Sequence, residues 1–391
     1  MPKSHTILPA WPHVPRPTLA AQFLQPATEF GVRALTLFAP RGIGKTEFLR
    51  RDLIPFAQEQ GFVCIYVDLW EASEGPAIAL ARAFERRDWD QDDAAPARRL
   101  AARAKAMLTP RIKSAKAELS MLGHSATFEA EFGEGRMQSN DVDHVVKAFA
   151  ALLRRAKRRP VLLVVDEAQT LANPRFEPMV KTLRSLFQSH DEQVIRLFTG
   201  SSRMGLDRMF RRSRAPLFGQ GGTMQAFPAL DRAFVQQICR WFSARTGGAD
   251  LGDAAAHQGF EKLHRSARLF RSAVESVLMG RSTNILSACE AAQFSLLDDA
   301  TLRAKLADLS ALQHEVLTMV WRQGSELYTV RSLKRLSKTL RVPVDLPQVQ
   351  SALQRLERME LIYRAGHGEY RIELPELELA MEAIATQSDK K

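Results

Sequence analysis

The chain has 391 residues, of which 45% are hydrophobic and 25% are charged, and its formal net charge is +11. This composition is ordinary for a globular protein of two or three domains, and it excludes an intrinsically disordered chain. The positive charge favours a polyanionic partner such as nucleic acid.

The chain also lacks the usual signs of export or membrane insertion. No apolar run approaches the ~18 residues of a membrane-spanning helix, and the start, MPKSHTILPAWPHVPRP, has no continuous apolar stretch of the kind found in secretory signals. The three cysteines, Cys64, Cys239 and Cys289, lie far apart in apolar segments without zinc-binding spacing. We therefore expect buried thiols, a cytoplasmic location and no membrane partner.

The first part of the chain predicts an N-terminal arm followed by an α/β core. Residues 1–30 start proline-rich and then become helical, which is typical of an arm that lies against the next domain. From 31 to 227, helical segments alternate with strand-like segments at 34–38, 62–70, 160–168 and 194–201. Because these strands are continuously apolar, they predict a parallel sheet covered by helices on both faces, as in a doubly wound α/β domain.

An insertion at 85–145 interrupts this alternation. It begins with arginine- and alanine-rich helical sequence and carries seven basic residues and no acidic one between Arg98 and Lys116. Residues 127–132 then alternate between polar and apolar side chains like one arm of a hairpin. The basic helix is either a solvated face or a surface that follows DNA, and the sequence leaves both interpretations open.

The stretch FAPRGIGKTEFLRR, residues 38–51, places two glycines, a lysine and a threonine between the first strand and a helix. Glycine lets backbone N–H groups turn inward, and the following helix N-terminus attracts negative charge, so this loop predicts a phosphate site. Ala39 stands where the usual pattern has glycine. Lys45 is expected to reach the β- and γ-phosphates of ATP, and the Thr46 hydroxyl is expected to bind Mg²⁺. The predicted nucleotide-binding residues are Pro40, Arg41, Gly42, Ile43, Gly44, Lys45 and Thr46.

A second motif, RRPVLLVVDEAQTL, carries an acidic pair. Four apolar residues place Asp166 and Glu167 at the carboxyl end of a strand, where ligands bind in open α/β sheets. Asp166 is expected to complete the magnesium shell opposite Thr46, and Glu167 to polarise the water that attacks the γ-phosphate. The alternative is that the pair merely caps the helix that follows.

These motifs together resemble a known family. The segments APRGIGKT, VLLVVDEAQ, FTGSSRM and APLFGQGGTMQAFPAL are similar to those of the archaeal-type, or MNS-clade, P-loop ATPases. That clade is AAA+-related and lies close to the origin-recognition and STAND signalling ATPases. The resemblance covers roughly residues 15–300 and implies a P-loop parallel-sheet AAA+-like ATPase domain with a small helical lid.

The resemblance also implies further site residues. A polar sensor near the γ-phosphate maps onto Thr199 or Ser201, although such a hydroxyl is otherwise often a cap. The family's arginine in the motif PLYGR falls on Gln220, so a trans-acting arginine would come from neighbours. Those neighbours are Arg211, Arg212 and Arg214, each of which can equally be part of a basic surface loop. Arg281 occupies the neighbourhood of a second sensor arginine.

Residues 228–302 have helical periodicity almost throughout, with glycines after two of the helical segments, and predict the small lid. From 303 to 391, three helical segments precede an alternating segment around Gly366-His367-Gly368. This order resembles the winged-helix domains appended to origin-recognition-type and archaeal-type ATPases. The fold class expected for the whole chain is therefore α/β, with a core, a lid and a C-terminal winged helix.

The resemblance to a winged helix suggests contacts with duplex DNA. In such domains the third helix enters the major groove, and nearby basic residues hold phosphates. The candidate DNA-binding residues are Arg331, Lys334, Arg335, Lys338, Gln350, Gln354, Arg355, Arg364 and Arg371. Acidic residues of the same block offset much of the charge, and winged helices also dock on proteins, so a protein partner stays open.

The leading hypothesis is an ATP-hydrolysing, DNA-binding factor of the initiator or DNA-processing type. Its cofactors would be ATP and Mg²⁺, and its hydrolysis would be slow and stimulated by DNA or by a partner, either another protein or a further copy in a homo-oligomer. The alternatives are a STAND-like nucleotide switch and a protein-remodelling adaptor, in which the winged helix binds a protein. Salt-sensitive DNA affinity would separate the first hypothesis from the others.

Overall fold

The structure is a computed structural model that describes residues 11–70, 75–86, 139–211, 215, 217–366 and 368–389. The predicted basic helix and hairpin of the insertion, as well as Arg212 and Arg214, lie outside the described residues. Contacts divide the chain into two compact units. The first unit holds the described part of Met1–Leu24 together with Arg41–Phe56 and Phe227–Ser295, and the second holds Gln25–Pro40, Ala57–Ala226 and Leu296–Lys391 as far as they are described.

The helices are given in chain order. They are α1 (Pro17–Glu29), α2 (Lys45–Phe48), α3 (Ile54–Glu59), α4 (Pro76–Glu85), α5 (Ser139–Ala156), α6 (Glu177–Ser189), α7 (Arg203–Phe210), α8 (Arg232–Thr246), α9 (Asp253–Lys262), α10 (Ala267–Leu278), α11 (Ile285–Phe294), α12 (Ala300–Ala307), α13 (Ala311–Gln323), α14 (Val330–Leu340), α15 (Leu346–Arg358) and α16 (Pro375–Asp389). In the part of the chain that the structure describes, none of them combines the length and the apolar character needed to cross a lipid bilayer.

The second unit is built on a five-stranded parallel sheet, which confirms the predicted α/β fold class. The strands are β1 (Ala34–Phe38), β2 (Val63–Asp68), β3 (Val161–Asp166), β4 (Val194–Gly200) and β5 (Thr223–Ala226), in the spatial order β2-β3-β4-β1-β5. Every residue of β3 and β4 is buried, as the continuous apolar runs require of strands covered on both faces. The four predicted strands are confirmed.

The edge strand β5 was not predicted. Its sequence, TMQA, is short and mostly polar, and its side chains are largely exposed. It joins the sheet through parallel pairing with β1, in which Leu35 is opposite Thr223. Because this strand buries little apolar surface, only backbone pairing with a distant segment defines it.

The helix after the predicted phosphate loop is interrupted by a π-helical turn at Leu49–Leu53, between α2 and α3. The cause lies in Pro55, which has no N–H to donate and whose ring clashes with the carbonyl four residues earlier. A wider turn relieves that clash. The first unit packs this segment through Phe48, whose ring centroid lies 5.8 Å from that of Phe23 and 5.3 Å from that of Phe227.

The end of the chain forms a module that we call the C-terminal module, residues 303–389. Helices α13, α14 and α15 precede an antiparallel hairpin of β6 (Ile362–Gly366) and β7 (Glu369–Ile372). Ser310 and Asp345 form capping boxes at the starts of α13 and α15. This is the order of elements predicted for a winged helix, whereas the final helix, α16, was not predicted.

Two cysteines, Cys64 and Cys289, are buried, and Cys239 is half-buried. Burial raises the pKa of the Cys289 thiol to about 12 and that of Cys239 to about 11. Both side chains therefore stay protonated at neutral pH and are poor nucleophiles.

Candidate functional site

The predicted phosphate loop has the backbone that its glycines suggest. Gly42 and Gly44 have φ values of +78° and +91°, in a region that side chains disfavour. Gly44 occupies the N-cap of α2, where it offers no side chain to satisfy the helix amides. A helix N-terminus preceded by such a loop is suited to bind phosphate.

Lys45 is the first residue of α2, and only 6% of its surface is exposed. Thr46 follows it and is partly exposed. Lysine is rarely buried at this level without an anionic or hydrogen-bonding environment. The Lys45 side chain is therefore not extended into solvent.

The first turn of α10 lies against this loop. The Arg268 backbone N donates a hydrogen bond to Gly42 O at 3.0 Å. A Cβ atom on Gly42 would lie 3.0 Å from Arg268 Cβ and 3.2 Å from the Oγ of Ser266, so the close approach requires glycine. Arg268 is thus the arginine beside the loop, and it was not predicted from the sequence.

Arg281, the predicted second sensor, lies in the exposed turn that follows α10. Its backbone N donates to Ser276 O at 2.9 Å, which belongs to the end of α10 rather than to the loop. Its role stays a prediction. Ser266, which caps α10 by accepting a hydrogen bond from Leu269 N, was the signal in the sequence that could have drawn attention to Arg268.

The N-terminal segment is held on the first unit by aromatic and polar contacts. The Trp11 ring stacks on Trp241 with centroids 4.5 Å apart, and its Nε1 donates to Glu275 Oε1 at 2.9 Å. Further along, Gln237 Nε2 donates to His13 O at 3.0 Å. The segment therefore lies along the lid helices α8 and α10.

The same segment contacts the helix after the loop. His13 Nε2 lies 2.9 Å from Asp52 Oδ1, and His13 Nδ1 lies 3.4 Å from Glu47 Oε1. The Arg16 backbone N also donates to Asp52 Oδ1, at 3.2 Å. The hydrogen bond to Glu47 and the contacts with Asp52 raise the pKa of His13 against the opposing effect of burial.

The acidic pair lies at the carboxyl end of β3, in the second unit. Asp166 is fully buried, and its Oδ1 accepts hydrogen bonds from the Thr199 hydroxyl and from Glu167 N. Its Oδ2 accepts a hydrogen bond from the Tyr66 hydroxyl at 3.0 Å. Three donors fix a buried carboxylate in one orientation. The predicted sensor Thr199 is therefore a partner of Asp166, and Tyr66 is a partner that sequence reasoning missed.

Glu167 has a left-handed backbone, with φ of +53°, which is strained for a side chain of this type. Its Oε2 accepts hydrogen bonds from Ser201 Oγ at 2.7 Å and from Gln169 Nε2. Glu167 precedes the 3₁₀ turn Ala168–Ala172, but its side chain does not cap that turn. The capping alternative therefore does not explain this carboxylate, which is instead joined to the end of β4.

The sheet topology of the second unit places three chain segments at one edge. Strand β4 lies between β3 and β1, and all three are parallel, so their carboxyl ends share one edge. The Ala39 backbone N donates to Gly200 O at 3.1 Å, directly before the chain enters the phosphate loop. In open α/β sheets, this edge is where ligands bind.

The positions considered for a trans-acting arginine differ in their surroundings. Arg211 is exposed, and its Nε lies 3.6 Å from Asp207 Oδ1. Arg212 and Arg214 are not among the described residues. At Gln220, where the resembling family has arginine, Oε1 accepts a hydrogen bond from the buried Arg196 at 3.2 Å. Gln220 therefore makes a contact within the protein, to a residue of β4.

The C-terminal module carries an exposed basic face on α14. Arg331, Lys334, Arg335 and Lys338 are all exposed, and none of them forms an ion pair with another described residue. On α15, exposed side chains include Gln350, Gln354 and Arg355. On the hairpin, Arg364 and Arg371 are exposed, but Arg371 Nη2 is paired with Glu369 Oε1 at 2.9 Å.

Comparison with known proteins agrees with this architecture. Residues 28–204, which include the phosphate loop and the acidic pair, match a protein-family model described as an AAA domain. The chain has an AAA+-like P-loop ATPase fold. Its structure is similar to that of the Walker-type ATPase PABY2304 of Pyrococcus abyssi, with a TM-score of 0.59, 13% identity, and coverage of 94% of this chain and 95% of that one. The predicted AAA+-like P-loop fold is confirmed, and assignment to the archaeal-type clade stays a prediction.

Two further solved structures are similar at a lower level. The Aeropyrum pernix Orc1 protein, solved in complex with DNA, has a TM-score of 0.40 at 16% identity. The alignment covers 96% of this chain and 94% of the Orc1 chain. Cdc6p of Pyrobaculum aerophilum has a TM-score of 0.42 at 15% identity, with coverage of 98% and 97%. The sequence matches none of the curated proteins.

Proposed function

We propose that this chain binds and hydrolyses ATP and uses its C-terminal module, as a winged helix, to bind duplex DNA. The observation that carries the proposal is the hydrogen-bonded arrangement of Asp166 and Glu167 with the end of β4, at the sheet edge where the chain enters the phosphate loop. A buried, oriented carboxylate next to a second one is the chemistry that metal binding and water activation require.

ATP binding is supported by the loop geometry. The left-handed glycines and the uncapped start of α2 suit a phosphate chain, and the buried Lys45 supplies the positive charge next to it. Arg268, whose backbone is bonded to Gly42, stands where a cation can stabilise charge on the phosphates.

The proposed ligands of Mg²⁺ are the Thr46 hydroxyl and the Asp166 carboxylate. Both offer oxygen atoms, which Mg²⁺ prefers, and Mg²⁺ commonly takes only one or two protein ligands while phosphates and waters complete its shell. The fixed orientation of Asp166 fits that role. When bound, Mg²⁺ neutralises charge that develops on the transferred phosphoryl group.

Glu167 is the proposed general base. Its carboxylate lies at the same strand end as Asp166 and can accept a proton from an attacking water, with Ser201 and Gln169 setting its orientation. Lys45 holds the β- and γ-phosphates while the bond breaks. The hydroxyl of Thr199, which is buried and bonded to Asp166, keeps the metal ligand in place.

The proposal for DNA rests on the exposed side chains of the C-terminal module. The four cations of α14 lie at helical spacings that place them on one face, and they are available to contact phosphates. The polar side chains of α15, with Gln350 and Gln354 among them, suit base edges in a major groove. Arg364 is positioned on the hairpin, where it can follow the backbone.

An ATPase assay with and without duplex DNA, across a salt series, tests the proposal. We expect hydrolysis that DNA stimulates and DNA affinity that falls steeply with salt, because bound cations release counterions. Tight nucleotide retention with slow turnover and no salt-sensitive DNA affinity would instead favour a nucleotide switch whose C-terminal module binds a protein. If the intact chain neither binds nor hydrolyses ATP, the proposal is refuted.

A further inference from the structure

Helix α7, which follows β4, is contacted at its first turn by a glutamate of the C-terminal module. Glu373 follows β7, and only 3% of its surface is exposed. Its Oε1 accepts hydrogen bonds from Arg203 N at 2.6 Å and from Met204 N at 3.4 Å, which are the first two amides of the helix. The carboxylate thus completes the N-terminus of a helix that belongs to the α/β core.

A second glutamate of the module contacts the same helix. Glu360 Oε1 lies 3.2 Å from Nη1 of Arg208, and Glu360 Oε2 accepts a hydrogen bond from Ser202 Oγ at 3.4 Å. The guanidinium of Arg203 lies over the ring of Tyr363, 5.2 Å from its centroid. The module therefore holds α7 along its length as well as at its start.

Gly205 of α7 packs against Gln169, one of the hydrogen-bond partners of Glu167. A Cβ atom on Gly205 would lie 2.5 Å from Gln169 Cβ, and one on Gly200 would lie 2.2 Å from Gln169 Oε1. Gln169 is thus confined between the end of β4 and α7. From there its Nε2 donates to the Glu167 carboxylate and to Ser201 Oγ. A shift of α7 therefore displaces the two side chains that orient Glu167.

We propose that Glu373 and Glu360 are positioning residues for ATP hydrolysis: they dock the C-terminal module on α7 and thereby fix Ser201 and Gln169 around the Glu167 carboxylate. This inference rests on the proposed function, because it takes Glu167 as the general base. It assigns the C-terminal module a part in the ATPase reaction in addition to its proposed contact with DNA.

Burial of the Glu373 carboxyl group is energetically unfavourable, so its position needs an explanation other than stability. Its Oε2 is buried and has no hydrogen-bond partner among the described residues. Burial raises the pKa of this carboxyl to about 7, with the neighbouring Glu360 adding to the effect and the two amides and Arg203 opposing it. An apolar side chain would fill the same space without this penalty, but it would leave the amides of Arg203 and Met204 without an acceptor.

The test compares the intact wild-type chain with Glu373→Ala and Glu373→Gln. We expect Glu373→Ala to lower kcat by about tenfold, with the Kd for ATP nearly unchanged, because only the orientation of the general base is lost. Glu373→Gln should restore kcat, because its amide oxygen still accepts from both amides. Glu315→Ala, a glutamate on α13 of the same module, is the matched control. Hydrogen exchange at Arg203 and Met204 should accelerate in Glu373→Ala alone.

A charge exchange keeps the proposal testable if Glu373→Ala does not fold. Arg208→Glu and Glu360→Arg should each lower kcat, and the double variant should recover it, with ATP affinity unchanged throughout. Provided that the wild type hydrolyses ATP, the inference is overturned if kcat is unchanged in Glu373→Ala. It is equally overturned if kcat is unchanged in the folded single variants of the charge exchange. Absence of ATP binding or hydrolysis in the wild type overturns instead the proposed function on which it rests, and full turnover in Glu167→Gln overturns the role of Glu167 as general base.

Discussion

His13 Nε2 lies 2.9 Å from Asp52 Oδ1, which joins the N-terminal segment to the helix that follows the phosphate loop. Asp52 is buried, and its other oxygen, Oδ2, has no hydrogen-bond partner in the described part of the chain. Protonated His13 therefore neutralises a carboxylate that would otherwise be buried with little compensation. The attachment of the N-terminal segment to this helix therefore depends on the protonation of the His13 imidazole.

This contact predicts a pH dependence of stability. The pKa of His13 is raised above its ordinary value of 6.5, so the stabilisation is complete below pH 6.5 and is lost as the pH rises through the folded-state pKa. His13→Ala should lower the free energy of unfolding by about 1–3 kcal/mol at pH 6 and by less at pH 8. Thermal unfolding of both proteins across this range measures the difference. His257→Ala, which removes a partly exposed histidine of α9, is the control, and equal losses at both pH values would contradict the prediction.

Lys45→Ala should remove nucleotide binding or leave it weak, because no other described side chain supplies a buried ammonium at the start of α2. We expect at least a hundredfold rise in the Kd for ATP, equivalent to about 2.7 kcal/mol. Titration calorimetry measures it. Lys181→Ala, an exposed lysine paired with Glu177 on α6, should bind ATP normally. Unchanged affinity in Lys45→Ala would show that the loop does not hold the phosphates.

Glu167→Gln should keep ATP bound while reducing kcat by about 10²–10⁴-fold, since the amide cannot take a proton from water. Ser201→Ala should show a smaller loss of kcat, because it removes one hydrogen bond to the same carboxylate. Single-turnover hydrolysis together with an ATP-binding measurement separates these effects. Turnover that persists in Glu167→Gln would leave this glutamate with a structural role only.

The motifs of the site could be predicted from the sequence, because each is a local pattern. The glycines, Lys45, Asp166 and Glu167 follow apolar runs that form β1 and β3, and four of the five strands were recognised in this way. Their partners come from elsewhere in the chain. Arg268 reaches the loop from a lid helix, and Tyr66 reaches Asp166 from a neighbouring strand. Such contacts depend on packing between distant segments, which no local periodicity records.

Replacing Arg331, Lys334 and Arg335 together by alanine should weaken duplex DNA binding regardless of sequence. The slope of log K against log salt should become shallower by up to about 3, roughly one unit for each phosphate that is no longer neutralised. The control triple variant replaces Lys147, Arg154 and Lys181, which are exposed cations of the second unit. Fluorescence anisotropy at several salt concentrations measures the slopes. An unaffected complex would move the DNA contact away from α14.

Arg371→Ala should change DNA affinity less than removal of a single α14 cation, because Arg371 is already paired with Glu369. The sequence alone could not distinguish these arginines, since the pairing arises from the hairpin itself. The same titrations compare Arg371→Ala with Lys334→Ala at one salt concentration. A larger loss in Arg371→Ala would show that its ion pair opens on DNA and that the hairpin is the main contact.

Gly205→Ala tests two opposing effects on stability, one from helix propensity and the other from packing. Within α7, alanine should favour the helix by roughly 0.5–1 kcal/mol relative to glycine. The added Cβ, however, would lie 2.5 Å from Gln169 Cβ and 3.1 Å from Ser202 Oγ, so either α7 or Gln169 must move. We expect net destabilisation of about 1–3 kcal/mol together with a lower kcat, because overpacking displaces the side chain that donates to Glu167. A more stable variant with normal kcat would show that Gln169 can move away without disturbing Glu167.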